Sequence, residues 1–241
     1  MKGIVQGVIW LLLLALITAG ILTLMVRPAA AAACPQCFGL VDTGDGIYVQ
    51  SSMDGTQRTR VRATVTEALT RATVFYGALR HRPRILICAD DACYHRLGGV
   101  PGTGVGSLGS FSLEVASQGV NPVYIAAGLS RAELQGRVGF WKFNLGAVPM
   151  WFDEGVAVVV ADDPAYILPP GHGDRCKAGS FPDMPATPTE WQEELQQEGD
   201  MLYAQSACKT VMWMMEHGGP KAVTGLVDKV AQGQDFTQLF D

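Results

Sequence analysis

Histidine is scarce in this chain of 241 residues: there are four, His81, His95, His172 and His217. None has another histidine three or four positions away, the spacing that sets two imidazoles on one helical face. A zinc centre gripped by a helical histidine pair is thereby excluded. Basic residues are also few, 18 Lys and Arg against 23 Asp and Glu, and they form no stripe, so the footprint expected of a nucleic-acid binder is missing. No internal repeat is visible.

What the sequence does have begins with an apolar run. Gly3 to Val26 has Gln6 as its one strongly polar residue and contains Trp10-Leu11-Leu12-Leu13-Leu14. A helix needs about 20 residues to cross a bilayer. Lys2 precedes the run and Arg27-Pro28 follows it. A secretory signal has the same plan with a shorter core of about 7–15 residues. The small residues Ala29 to Ala33 offer a place to cut, and the Ala-Ala-Ala-Cys ending at Cys34 is a poor lipidation box. The expectation is a transmembrane signal anchor or signal peptide over 1–33 and one globular domain over 34–241. That domain would lie on the periplasmic or extracellular side, held to the membrane by the N-terminal segment.

Six cysteines follow: Cys34, Cys37, Cys88, Cys93, Cys176 and Cys208. An even count outside the cytoplasm favours disulfides. Cys34–Cys37 and Cys88–Cys93 are local pairs, which leaves Cys176 for Cys208. Two alternatives stand beside this pairing, a redox Cys-x-x-Cys and a four-cysteine zinc site. The first lacks a βαβ pattern behind it, and the second has an irregular second half.

Along the chain, Cys34 to about Arg58 reads as turns with a short strand at Ile47-Tyr48-Val49. Arg60 to Leu79 has helical spacing, with Val61, Val65, Ala68, Leu69, Ala72, Phe75 and Tyr76 on one face. Arg84 to Ala89 reads as a buried strand. Gly98 to Gly109 reads as a glycine-rich loop or connector. Its Gly104-Val-Gly106-Ser-Leu-Gly109 fits a dinucleotide fingerprint, but Phe111 to Val115 behind it reads as strand, with no helix N-terminus for a pyrophosphate. Asn121-Pro122 starts a helix to about Val138. A loop, Gly139 to Val148, leads to a helix over Pro149 to Ala161. Asp162 to Pro188 is a Pro/Gly/Asp-rich excursion, Gly199 to His217 a helix, and Lys221 to Val230 begins the last.

The segment Pro149-Met-Trp151-Phe152-Asp153-Glu154-Gly155-Val-Ala157 resembles the one that supplies the third zinc ligand in gluzincin (peptidase-MA-like) metallopeptidases, Pro-x-Trp-x-x-Glu-Gly-x-Ala. Agreement extends to Asp162-Asp163, Tyr203-Ala-Gln205-Ser206, Gly218-Gly219 and Gly233 to Phe236. The resemblance implies an α+β, zincin-like fold. A small mixed sheet, its edge including Phe111 to Val115, would cover a mainly helical lobe with helices 122–138 and 149–161 side by side. It also implies a preceding helix with His-Glu-x-x-His, whose histidines hold zinc and whose glutamate activates the bound water.

That motif is not there. Aligning Leu134, Arg137 and Gly139 with the family's Leu, Arg and Gly puts Ala127 at the first histidine, Gly128 at the glutamate and Arg131 at the second histidine. A register shifted onto Glu133 keeps a glutamate and restores no histidine. The zinc expected in the family thus lacks its ligands, and no cofactor is expected. The altered site would comprise Ala127, Gly128, Arg131, Glu154 and Tyr203. Arg131 is expected to pair with Glu154, with Ala127 and Gly128 leaving room for the longer side chain. The rival arrangement has Arg131 in solvent and Glu154 bonded at its own helix start, where acids favour the dipole. Two function classes follow: a catalytically inactive pseudoenzyme that binds an extended peptide or a protein, or a hydrolase of altered mechanism using Glu133 or Glu154 with His172.

Overall fold

A computed structural model describes residues 27–179 and 183–240, together with residues 6, 9, 10 and 13. Most of the expected anchor or signal segment lies outside the described residues. Among the described residues no helix is long and apolar enough to cross a membrane.

Five short strands form one mixed sheet: β1 (Leu40–Asp42), β2 (Ile47–Gln50), β3 (Arg84–Ile87), β4 (Val105–Leu108) and β5 (Ser112–Val115), in the order β1-β2-β3-β5-β4. The outer pairs β1/β2 and β4/β5 are antiparallel, and β2, β3 and β5 run parallel. The expected edge is corrected: β5 lies inside the sheet, and the edge is β4, drawn from the stretch read as a glycine-rich loop. The glycines of that stretch allow close packing. A Cβ at Gly106 would lie 3.3 Å from the Tyr94 hydroxyl, tighter than ordinary contact.

The first long helix, α1 (Gly55–Tyr76), starts earlier than its apolar face suggests. Asp54 accepts from the Gln57 N–H, and the Gln57 side chain accepts from the Asp54 N–H, both at 2.8 Å. This reciprocal cap satisfies two otherwise orphaned donors. Val61, Val65, Ala68, Ala72 and Tyr76 form its buried face. A short α2 (Asp91–Arg96) follows β3.

Asn121 caps α3 (Pro122–Val138), with Pro122 at its first turn, as the sequence predicts. The expected loop after it contains α4 (Phe140–Asn144). Then comes α5 (Met150–Ala161), in which every residue from Trp151 to Ala161 is buried. It lies between α3 and a later helix, α7 (Met201–His217). Gly155 permits that approach, since a Cβ there would fall 2.5 Å from the Ser206 carbonyl oxygen. Between them lies α6 (Pro188–Glu198). Its Thr187/Glu190 capping box and Pro188 are the sequence signals that mark its start. The chain closes with α8 (Pro220–Ala231) and α9 (Phe236–Phe240).

The architecture is therefore α+β, a small mixed sheet with a mainly helical remainder. Leu134 and Trp151 share one core with Leu113, Val115 and Phe152. Three disulfides pair the six cysteines as expected: Cys34–Cys37, Cys88–Cys93 and Cys176–Cys208. The third ties the Pro/Gly-rich excursion to α7.

Candidate functional site

The helices α3 and α5 pack side by side and bring three charged side chains together. Arg131 on α3 donates from Nε to Asp153 Oδ2 at 2.8 Å and from a terminal nitrogen to Glu154 Oε1. One guanidinium thus bridges two neighbouring carboxylates near the start of α5. A planar fork of donors suits this task, which a lysine could not perform in the same way. Solvent reaches 35% of the Arg131 side chain, 12% of Glu154 and only 2% of Asp153. The expected Arg131–Glu154 pair is present. The addition of Asp153 was not foreseen, because adjacency along a helix does not reveal that one long side chain can reach both acids.

Two acids against one base leave this buried group with one excess negative charge when all three are ionised. Burial raises the pKa of Asp153 and of Glu154 above the ordinary carboxylate range, and Arg131 opposes that rise in both. Arg131 itself is held charged chiefly by Glu154. Asp153 Oδ1 is buried without a hydrogen-bond partner.

Beside the triad runs an open groove of about 520 Å³. One wall is Gly104 with Val105 to Ser107 of β4. Its floor is the α3 face carrying Tyr124, Ala127, Gly128 and Arg131, and Glu154 and Tyr203 close the far side. Tyr203 stacks on Tyr166 with centroids 5.2 Å apart and meets Trp191 edge-on at 5.3 Å. Burial, then the charge of Glu154, raises its pKa. The space at Gly128 does not serve Arg131, which corrects the expected role. A Cβ there would lie 3.3 Å from the Leu113 methyl groups and from Val105, so this glycine lets α3 approach the sheet.

The structure thus gathers Ala127, Gly128, Arg131, Glu154 and Tyr203 around one groove. It keeps Glu133 and His172 apart from them. Glu133 is fully buried elsewhere and accepts from Arg137 Nε at 2.7 Å and from the backbone N–H groups of Arg80 and His81. His172 is exposed, with its ring bonded to the Pro169 carbonyl oxygen, and it does not line the groove. No hydrogen bond or shared groove lining joins His172 to Glu133 or to Glu154.

A catalytic zinc needs three protein ligands and an open position. Of the three positions that the resemblance would assign to zinc ligands, Ala127 has no donor atom, Arg131 is a cation and Glu154 is engaged by that cation. These residues do not fit the metal. Among the described residues no cluster of three His, Cys, Asp or Glu side chains is arranged to hold one.

Another buried carboxylate is not among the residues that the sequence singles out. Glu114 on β5 is 3% exposed, accepts from the Ser112 hydroxyl at 2.6 Å, and has its pKa raised by burial. The alternation Ser112-Leu-Glu114-Val is a signal for it, since it places Glu114 and Leu113 on opposite faces of the sheet. Comparison of the chain with family models, with curated proteins and with solved structures finds no match.

Proposed function

We propose that this chain is a membrane-associated, extracytoplasmic relative of gluzincin metallopeptidases that has lost the metal chemistry and binds an extended peptide or protein segment. The observation that carries the reading is the edge strand β4 lining a groove that the Arg131–Glu154 pair also lines. Gly104, just before β4, accepts from the Ala116 N–H at 2.9 Å, so Gly106 and Leu108 are the residues of β4 that bond to β5. The alternation turns the N–H and C=O groups of Val105 and Ser107 away from β5. A strand added there would satisfy these groups, and side-chain contacts in the groove would give selectivity.

The test is binding of an extended-peptide library to the intact protein and to a Ser107→Pro variant. Proline removes one outward donor and is tolerated on an edge strand. At least about a tenfold loss of affinity is expected for the selected peptides. Unchanged binding by the variant would reject strand addition at β4.

The same reading expects no stoichiometric zinc in the purified protein and no chelator-sensitive peptide hydrolysis. With two ligands and the general base replaced, neither a Lewis acid nor an activated water is supplied. Metal analysis and a peptidase assay check this. Chelator-sensitive hydrolysis abolished by Glu154→Ala would overturn it.

A further inference from the structure

Three large apolar side chains of the domain lie exposed close together. Phe111, at the tip of the β4–β5 hairpin, is 63% exposed; Trp141 on α4 is 76% exposed; and Leu145, just beyond α4, is 83% exposed. The hairpin tip and α4 are in contact, because a Cβ at Gly109 would lie 3.2 Å from the Phe140 ring. Phe140 in turn meets Trp141 edge-on at 5.4 Å. Residue 145 is one helical turn from Trp141, its N–H bonding the Trp141 carbonyl oxygen at 3.0 Å. Large apolar side chains exposed on two touching elements make this a candidate covered surface.

The chain itself says what covers it. Residues 27–33 are helical and lie against the domain, with Ala31 and Ala32 buried. Ala29, Ala32 and Ala33 share one apolar hollow with Leu108, Phe111 and Phe140. The Arg84 guanidinium fixes this segment by donating to the Ala32 and Ala33 carbonyl oxygens. Gly98 makes room for the Pro28 ring, which lies 2.7 Å from where a Cβ would stand. The long apolar run of the sequence is thus followed, from Arg27, by a segment whose Ala29, Ala32 and Ala33 share the hollow of Phe111 and Phe140. Ile9, Trp10 and Leu13, the described apolar residues of that run, are themselves exposed.

We infer that the face formed by Phe111, Trp141 and Leu145 rests in the headgroup layer of the bilayer that holds the N-terminal segment. The inference depends on the reading of residues 3–26 as a membrane anchor. An anchor ending at this face brings the lipid surface to it without a second binding event. A tryptophan with one apolar face and a polar N–H suits the interface between hydrocarbon and water. Arg27, exposed at the end of the apolar run, matches the charged flank expected there. The two contacts together would set the tilt of the domain and so the height of the β4 groove above the membrane.

Tryptophan fluorescence of the full chain in phosphatidylcholine vesicles tests this. The emission comes from Trp10, Trp141 and the three buried residues Trp151, Trp191 and Trp213. A Trp10→Phe variant reports Trp141, a Trp141→Phe variant reports Trp10, and the double variant supplies the background. A lipid with a nitroxide near the headgroup is expected to quench about half of the Trp141 emission, with a shift to shorter wavelength. A lipid brominated deep in its acyl chains is expected to quench Trp10. Trp141 emitting as in water and unquenched, while Trp10 is quenched, would overturn the inference and leave the anchor standing. Trp10 unquenched would overturn both. A blue-shifted Trp141 that no lipid quenches, and whose shift fades on dilution of the protein, would assign the patch to a second copy of the chain and overturn it as well.

Discussion

Glu133→Ala is expected to destabilise the folded domain by about 3–5 kcal/mol, the usual consequence of breaking a buried ion pair from one side. The Glu133 side chain is fully buried and that of Arg137 is 3% exposed, with Arg137 Nε donating to Glu133 at 2.7 Å. The same carboxylate accepts from the Arg80 N–H at 3.1 Å and the His81 N–H at 2.8 Å. Removing it leaves a guanidinium and two amides without that acceptor. Asp228 remains 3.3 Å from Arg137 and limits the loss, which puts the lower half of the range in view. Glu133→Gln keeps an acceptor of the same shape and should recover part of the stability. Chemical denaturation of the three proteins measures the effect. An alanine variant within about 0.5 kcal/mol of the parent would show that the network adds nothing to the fold. The outcome also bears on chemistry: a carboxylate that holds three donors inside the protein is placed for structure and has no route to a substrate in the groove.

Arg131→Ala is expected to cost about 2–4 kcal/mol at neutral pH. The figure is set below that of a fully closed pair because a third of the Arg131 side chain meets water. The loss falls mainly on Asp153, which would keep its burial and lose its cation. The pH dependence has a definite sign. Burial already raises the folded-state pKa of Asp153 and Glu154 above the unfolded values, so the fold binds more protons than the unfolded chain. Their contribution to stability is therefore fully present below the ordinary carboxylate range and is lost as pH rises through the raised folded values. Taking away Arg131 removes the influence that opposes the rise and lifts both values further. The deficit of the variant should accordingly be small below about pH 4 and widen toward neutrality. Denaturation curves across that span decide the matter. A deficit independent of pH would mean that lost packing, and not the unpaired acids, is its source. No deficit at any pH would mean that the two carboxylates do not need the guanidinium.

The sequence by itself determined the features that depend on neighbours along the chain. Asn121-Pro122 starts α3 because a side-chain acceptor followed by a residue without an N–H suits a helix N-terminus wherever the helix later packs. The helix read over Pro149 to Ala161 is α5, and its apolar run from Val156 to Ala161 is buried throughout. The cysteine pairing followed from two short spacings and one remainder. A missing histidine pair is likewise a plain fact of composition, and no fold can restore it.

The tertiary structure decided what depends on which surfaces meet. Val105 to Leu108 holds Gly106 and is flanked by Gly104 and Gly109, so it does not declare itself a strand; it becomes one because β5 offers a free edge and Tyr94 and Glu114 crowd the place of a side chain at Gly106. Asp153 and Glu154 look alike in the sequence. Packing against α3 gives one guanidinium to both, and makes Asp153 the more deeply buried of the two. Glu133 and Arg131 lie two residues apart on one helix and face different surroundings, because two positions turn about 200° around an α-helix. That rotation sends one to a structural network beside Arg80 and Asp228 and the other to the groove beneath β4. Side-chain chemistry is written residue by residue, but the assignment of each charge to a partner is made only when the helices close on one another.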